Sequence, residues 1–267
     1  GTGAGANSDG TTKINLTEDG NGNSFTAQEG ATTTIKHDGE LNITGNSEAS
    51  PFEVALGSVT VDAKNTYVGD LNINANVKAS AEKVTSSGKV IVDAASTFDV
   101  SGVVKNDGTM TVNGEMTALS VTSSGTLDVN GTLTAENGVT VNGASATTTI
   151  GASTSDDGKV VGDVTIEQGT LTTKDHSFTI TGILTTTDKT TLKLHEENVL
   201  TVGGLSLGAD LPVDGRLSIN FKNSSADEGT WLEASEGSAL TIADKGVLSL
   251  VGNDATDSSY DGSGILA

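Results

Sequence analysis

Hydrophobic and polar residues alternate in short runs along most of the chain. Met110 and Val112 flank one polar residue, and Leu127 and Val129 do the same one stretch later. A period of two is typical of a β-strand that buries one face. Only residues 50–56 and 76–84 leave room for a turn or two of helix. The pattern therefore predicts an all-β protein built from many short strands.

The stretch 107–134 contains nearly the same phrase twice. The copies are 107–117 and 124–134, and each holds a turn, an alternating strand, an Asn-Gly step and a second short strand. A unit of roughly twenty residues cannot bury its own apolar face and must stack on a neighbour. We therefore expect a β-solenoid (β-helix) with short coils of roughly 17–20 residues. Their strands would be opened by glycines that recur at nearly even steps, namely Gly69, Gly88, Gly108 and Gly125.

Seven Asp-Gly and five Asn-Gly steps separate the alternating runs. We expect tight turns there, with positive φ accepted by Gly and Asn. Beyond Gly143 the repeat becomes irregular, so an end segment that resembles a β-sandwich is an alternative for that part of the chain. A Greek-key β-sandwich is the alternative for the whole chain, because it also has short strands and regular turns.

The solenoid hypothesis predicts one elongated β-domain over residues 1–267. We divide it into a cap or assembly arm (1–30), β-helical coils (31–209), and further coils with a tail (210–267). The apolar residues of each strand should point inward, including Val112, Leu127, Val129, Val139 and Val141. A hydrophobic content of 34 % is low for a globular protein but suits a thin body with a narrow core.

The chain is strongly acidic. It has 35 Asp and Glu against 14 Lys and Arg, a formal charge of −21, and Arg216 is its one arginine. Nucleic-acid binding and docking on anionic lipid need clustered cations, so the composition argues against both. No run approaches the roughly 18 apolar residues of a membrane-spanning helix. Cysteine is absent, which excludes disulfides and thiolate metal sites.

No arrangement of residues indicates catalysis. His37, His176 and His195 stand in polar surroundings without a zinc-protease motif, and no nucleophile elbow is present. Enzymes that cleave polysaccharides on a β-helix need paired carboxylates and aromatic side chains. One Trp, two Tyr and five Phe give little support for that. We predict that the protein is not an enzyme.

Calcium is the one cofactor that the sequence suggests. Asp19, Asn21 and Asn23 offer oxygen side chains at alternate positions, as the first half of a calcium loop does. The sixth position is Ser24 instead of Gly, a departure from that loop. A second set of candidate ligands consists of Asp254, Asp257 and Asp261. The alternative is that these side chains cap their own turns.

The phrase Gly-Thr-Leu-Asp-Val-Asn-Gly-Thr-Leu-Thr at 125–134 resembles β-helical passenger segments of bacterial autotransporters and filamentous-haemagglutinin-type adhesins. The resemblance covers residues 84–141 best. The acidic, Thr-, Ser-, Gly- and Asn-rich composition is also similar to that of self-assembling surface-layer or fibre subunits. Both resemblances imply a secreted protein at the surface of a prokaryotic cell.

We therefore expect an extracellular structural protein whose partner is itself, assembled into a fibre or layer. An adhesin stalk or binding module, contacting other cell-surface or matrix components, is the alternative. A carbohydrate-active enzyme is the third. Self-assembly would use the chain ends, through Ile14 and Leu16 at one end and residues 265–267 at the other.

Overall fold

The structure is a computed structural model of the 267-residue chain. It describes residues 7–8, 11–15, 24–26, 32–35, 40–44, 52–61, 63–64, 67–74, 76–143, 149–152, 157–173, 176–195, 197–209, 211–213, 215–220, 232–234, 240–242 and 247–251. Within these ranges the chain forms strands and turns, and no helix. The prediction of an all-β protein is confirmed. The helical turns considered at 50–56 and 76–84 are replaced by strands, because the alternating burial at both places suits a pleated sheet.

The described strands are short and follow each other closely. They are β1 (Asn7–Ser8), β2 (Thr11–Asn15), β3 (Ser24–Thr26), β4 (Thr32–Ile35), β5 (Glu40–Thr44), β6 (Phe52–Ala55), β7 (Ser58–Val61), β8 (Ala63–Lys64), β9 (Tyr67–Val68), β10 (Asp70–Ile73), β11 (Val77–Ala81), β12 (Lys83–Ser86), β13 (Lys89–Val92), β14 (Thr97–Asn106), β15 (Thr109–Val112), β16 (Glu115–Ser123), β17 (Thr126–Val129), β18 (Thr132–Ala135), β19 (Val139–Asn142), β20 (Thr149–Gly151), β21 (Gly158–Val161), β22 (Val164–Thr172), β23 (Phe178–Thr186), β24 (Thr190–Lys193), β25 (Val199–Leu207), β26 (Leu211–Val213), β27 (Arg216–Asn220), β28 (Leu232–Ala234), β29 (Leu240–Ile242) and β30 (Val247–Val251).

These strands pair in parallel, except for the small antiparallel pair β8–β9. They form three long ladders. The first ladder contains β2, β5, β10, β13, β15, β17, β20, the end of β22, and β24. The second contains β3, β6, β11, the starts of β14 and β16, β18, β21, the starts of β23 and β25, β27 and β30. The third contains β1, β4, β7, β12, the ends of β14 and β16, β19, the start of β22, the ends of β23 and β25, and β28.

The chain visits the ladders in a fixed cyclic order: first, second, third, and first again. A strand in the interior of a ladder therefore pairs with one strand before it and one strand after it in sequence, as β15 pairs with β13 and β17. This arrangement is consistent with a β-helix-like class. A Greek-key sandwich is made of antiparallel strands, so the parallel pairing argues against that alternative. The described strands near the C-terminus, β27, β28 and β30, also pair in parallel.

The register agrees with the glycine spacing of the sequence. In the first ladder Asp70 is opposite Lys89, Lys89 opposite Thr109, and Thr109 opposite Thr126. Each of these residues directly follows one of the four predicted strand-opening glycines. The two copies of the repeated phrase lie one above the other, with β15 paired in register with β17. The repeat in the sequence therefore corresponds to the step between paired strands of the parallel sheet.

The core is one cluster of inward-facing apolar side chains. In β17 and β18 every second residue is buried, which gives the same alternating pattern in both strands. The inward rows predicted from sequence are confirmed, with exposed fractions of 2 % or less for Val112, Leu127, Val129, Val139 and Val141. Burying a side chain of this size contributes about 1.5–3 kcal/mol. Phe98 and Phe178 belong to the same cluster.

Glycines at the coil corners are required by contact between coils. A Cβ atom on Gly125 would overlap the carbonyl oxygen of Gly108, and one on Gly131 would overlap that of Gly114. Our expectation of positive φ at Asn-Gly steps holds for Gly138, with φ of 82°. It is wrong for Gly114 and Gly131, whose φ values lie outside the positive range. At these two corners the close approach of the next coil excludes a side chain.

A buried polar side chain closes the corner between the third and first ladders. Asn106 is fully buried and donates from Nδ2 to Ser123 Oγ (3.0 Å) and to the Thr126 carbonyl oxygen (2.8 Å). Its Oδ1 accepts from the Gly108 amide at 3.2 Å. One amide thereby joins two successive coils and satisfies backbone groups that a tight corner leaves unpaired.

Candidate functional site

The described part of the chain contains an open groove where the second ladder meets the third. Its volume is about 540 Å³, within the usual range of ligand pockets. We call it the corner groove. It is lined by Ala55, Gly57, Ser80, Ala81, Glu82, Asp99, Val100, Ser101, Thr117, Ala118, Leu119, Thr134 and Glu136.

The groove is concave because two strands pass through this corner without a loop. β14 and β16 each run from the second ladder into the third, and their pairing shifts register between Val100 and Val103. Gly102 lies within this register shift, and a Cβ atom there would overlap the carbonyl oxygen of Glu82. The side chains at the floor of the groove do not fill it, because Ala81 and Ala118 are small and buried.

One wall of the groove is a column of polar residues in register. Ser80 is opposite Asp99, Asp99 opposite Thr117, and Thr117 opposite Thr134, so each coil contributes one polar side chain. Neighbouring strands of a sheet are about 4.8 Å apart, and the polar groups therefore repeat at that spacing. Thr117 Oγ1 donates to Asp99 Oδ1 at 2.6 Å and fixes the carboxylate in place.

The opposite side of the groove combines charge with an exposed apolar residue. Glu82, Leu119 and Glu136 line it, and Leu119 has 36 % of its surface exposed. Glu82 Oε2 accepts from Ser58 Oγ at 3.0 Å. The lining residues include three carboxylates and no Lys or Arg. Such a surface can accept hydrogen bonds from a ligand's hydroxyl or amino groups, and it repels anions.

Two aspartates outside the groove have shifted pKa values of opposite sign. Asp70 lies in the first ladder between Glu40 and Lys89. Burial raises its pKa, Glu40 adds to the rise, and the Lys89 ammonium opposes it. The pKa of Asp107 is lowered by hydrogen bonds from Lys105 Nζ (2.6 Å) and Ser124 Oγ (2.7 Å). Both carboxylates keep contact with solvent, so we expect their pKa shifts to change the stability of the fold only slightly.

The predicted calcium ligands Asp19, Asn21, Asn23, Asp254, Asp257 and Asp261 all lie outside the described residues. Calcium binding there stays a prediction, which a rise of the melting temperature with calcium concentration would test. Among the residues that the structure does describe, no group of three or more His, Asp or Glu could hold a metal ion. His195 lies after β24, where its Nδ1 accepts from the Glu197 amide at 3.2 Å.

The groove residues do not stand out in the sequence pattern that locates the core. A signal is present, because Asp99, Thr117 and Thr134 occupy the same strand position in three successive coils. Aligning the outward positions of the coils, and not only the inward ones, brings them together. Their role as a wall also depends on the register shift between Val100 and Val103, which the sequence pattern does not reveal.

Comparison with known proteins gives no relative from which a function could be carried over. No protein-family model matches the chain, and no curated protein or solved structure is significantly similar to it. The described residues contain no helix of the length and hydropathy needed to cross a membrane.

Proposed function

We propose that the chain is a β-solenoid and serves as an extracellular structural protein, a self-assembling subunit of a fibre or layer on a prokaryotic cell surface. The solenoid is supported by the cyclic order in which the chain visits the three parallel ladders. The cellular setting follows from the resemblance to surface proteins at residues 84–141. The function is structural and not enzymatic.

The observation that carries self-assembly is the state of the outermost strands. Within the described part of the chain, β2 pairs only with β5, and β30 pairs only with β27. An edge strand offers a row of unpaired backbone groups to which a strand of another molecule can add. A second copy placed end to end would continue the same ladders. Acidic surfaces of a protein with charge −21 would favour such end contacts over side-by-side packing.

The test compares the intact protein with two truncations. Light scattering after size-exclusion chromatography and negative-stain microscopy should show concentration-dependent linear particles for the intact chain. Deleting residues 1–16 removes β1 and β2, and deleting 265–267 removes the apolar tail. Each truncated protein should keep its β-sheet circular dichroism and stay monomeric. An intact chain that remains monomeric at every concentration, or truncations that assemble like the parent, would refute end-to-end assembly.

A binding module of the adhesin type is the second candidate, and the corner groove favours it. A purely structural rod has no need of a concave surface with three carboxylates and an exposed leucine. The two functions are compatible, since a fibre subunit can carry a binding surface on its side.

A further inference from the structure

We propose that the corner groove binds a segment of a neutral, extended polysaccharide of β-1,4-linked hexoses, with one sugar residue facing each coil. This goes beyond self-assembly and does not depend on it. The groove lies along strands that are interior to the ladders, away from the outermost strands β2 and β30.

The periodicity of the groove selects the kind of ligand. Its polar column of Ser80, Asp99, Thr117 and Thr134 offers one group per coil. The steps between these groups are about 4.8 Å. A hexose in an extended β-1,4 chain advances by nearly the same length. Successive hexoses are turned over, but hydroxyl groups stand on both edges of the ring, so each hexose still presents a hydroxyl group to the column. An extended peptide repeats its side-chain direction only every second residue, about 6.8 Å, and falls out of phase within two coils.

Backbone pairing is also closed to a peptide here. The strands that carry the column already pair on both sides, as β14 does with β11 and β16. A peptide could therefore not add as a further strand, which is how extended peptides usually gain affinity. A sugar needs only side-chain groups, and the groove supplies hydroxyls and carboxylates.

The charge of the lining narrows the ligand further. Glu82, Asp99 and Glu136 are exposed at the groove, and its lining has no cationic side chain. Uronic acids, sulfated sugars and nucleic acids would be repelled. Carboxylates accept strong hydrogen bonds from neutral hydroxyl groups. Asp99 is suited to this because Thr117 holds one of its oxygens in place, and a carboxylate has further lone pairs for a ligand.

Leu119 supplies an apolar contact. It lines the groove together with Glu82 and Glu136 and keeps 36 % of its surface exposed, which is unusual among the leucines that the structure describes. The C–H face of a hexose ring can pack on it. The lining has no aromatic residue, so a single segment should bind weakly.

The experiment is an NMR titration of the intact protein with defined tetrasaccharides. Cellotetraose, N-acetylchitotetraose and β-1,4-mannotetraose are the extended neutral probes, and at least one should shift the amide signals of Thr117 and Leu119 at millimolar concentration. Maltotetraose, which is curved, and tetragalacturonate, which is acidic, should not. Asp99→Ala should weaken binding about tenfold, since a hydrogen bond to a charged group is lost. Thr117→Val and Leu119→Ser should weaken it less.

Glu115→Ala is the matched control. Glu115 is exposed on the same strand as Thr117 and outside the groove, so its removal should leave binding unchanged. All variants are at exposed positions, and their melting curves should match that of the parent. The proposal is overturned if none of the three extended probes binds, if maltotetraose binds equally well, or if Glu115→Ala weakens binding as much as Asp99→Ala. Shifts caused by spermine but by no sugar would instead assign the groove to cations.

Discussion

The coils between Lys89 and Val129 differ from those that follow in the length of their corners. In the earlier region the first-ladder strands β13, β15 and β17 follow one another closely in sequence, and short corners such as Asn113–Gly114 join the ladders. The two steps that follow are longer, since Leu127 is opposite Ile150 and Leu133 is opposite Val160. Later steps vary, and the step from Leu200 to Leu217 is short again. The pairing nevertheless stays parallel, and most inward positions stay buried, although Leu192 and Leu194 are only partly buried.

This comparison shows what determines register in this chain. A shift by one position would turn the whole apolar row of a strand to the surface. Register is therefore held by the alternation within each strand, and the extra residues are placed between strands. Corner length determines instead how closely successive coils interlock. In the earlier region Asn106 and the pair Asn113/Asn130 join coils by side-chain hydrogen bonds.

The largest effect should come from breaking the inward row. Val129 is fully buried at the boundary of the two regions. Val129→Asp would place an unpaired charge in the core, and we expect a loss of more than about 4 kcal/mol in the free energy of unfolding. The matched control is Thr122→Asp, an exposed position on the third ladder, which should cost well under half of that. Chemical denaturation followed by circular dichroism measures both. Equal stabilities would show that the assigned faces of the strands are wrong.

A somewhat smaller effect should follow from filling a short corner. The side chain in Gly125→Ala would overlap the Gly108 carbonyl of the previous coil. We expect a loss of about 3 kcal/mol, because backbone atoms must move to make room. Ser124→Ala in the same corner removes a surface hydrogen bond to Asp107 and should cost much less. If Gly125→Ala melts like the parent, the coils do not approach as closely as the structure indicates.

Buried polar residues allow a direct test of interlocking in the two regions. Asn106 makes three hydrogen bonds that join successive coils and their corner. In the later region Thr173 is equally buried. Its hydroxyl oxygen accepts a hydrogen bond from the His195 amide at 3.1 Å. We expect Asn106→Ala to cost about 2 kcal/mol and Thr173→Val about 1 kcal/mol, as more buried groups lose partners in the first case. A larger loss for Thr173→Val in thermal or urea unfolding would reverse the ranking of the two regions.

The earlier region is also the part that could be predicted from sequence. The glycine spacing locates the first-ladder strands that begin at Asp70, Lys89, Thr109 and Thr126, because short corners keep the period visible. After Gly143 the corners vary and hide it. The phrases at 203–207 and 246–250 look like copies, yet β28 pairs with the former in the third ladder and β27 with the latter in the second. Similar strand sequences do not identify the ladder, since all three ladders bury the same alternation.

Outward-facing residues were less predictable than inward ones. The row that includes Val112 and Leu127 follows from periodicity, whereas the groove wall requires knowing which exposed residues align across coils. The reason for Gly114 and Gly131 was also missed. Their role is to admit the neighbouring coil, and that contact is formed by residues one coil away in sequence.

The smallest predicted effect concerns how stability depends on pH at two aspartates, Asp70 before the earlier region and Asp107 within it. Asp70 is the first residue of β10 and pairs with Glu40 on one side and Lys89 on the other. Glu40 is much farther away in sequence than Lys89, so the steps of the first ladder become short at Asp70. Its folded-state pKa is raised, mainly by burial. The folded protein therefore binds the Asp70 proton more tightly than the unfolded chain does. That contribution to stability is present below the unfolded-state pKa and is lost as the pH rises through the folded-state pKa.

Asp107, within the earlier region, has a lowered folded-state pKa because Lys105 and Ser124 donate hydrogen bonds to its carboxylate. Its contribution is present above the unfolded-state pKa and is lost as the pH falls through the folded-state pKa. We therefore expect Asp70→Asn to stabilise the protein at pH 7 and Asp107→Asn to destabilise it, each by less than about 1 kcal/mol because solvent screens both sites. Both differences should shrink toward pH 3, while Glu115→Gln, whose in-register neighbours Thr97 and Thr132 are uncharged, should change little. Urea unfolding at pH 3, 5 and 7 gives the three curves. If Asp70→Asn and Asp107→Asn shift stability in the same direction at pH 7, the opposite pKa shifts of these two aspartates are refuted.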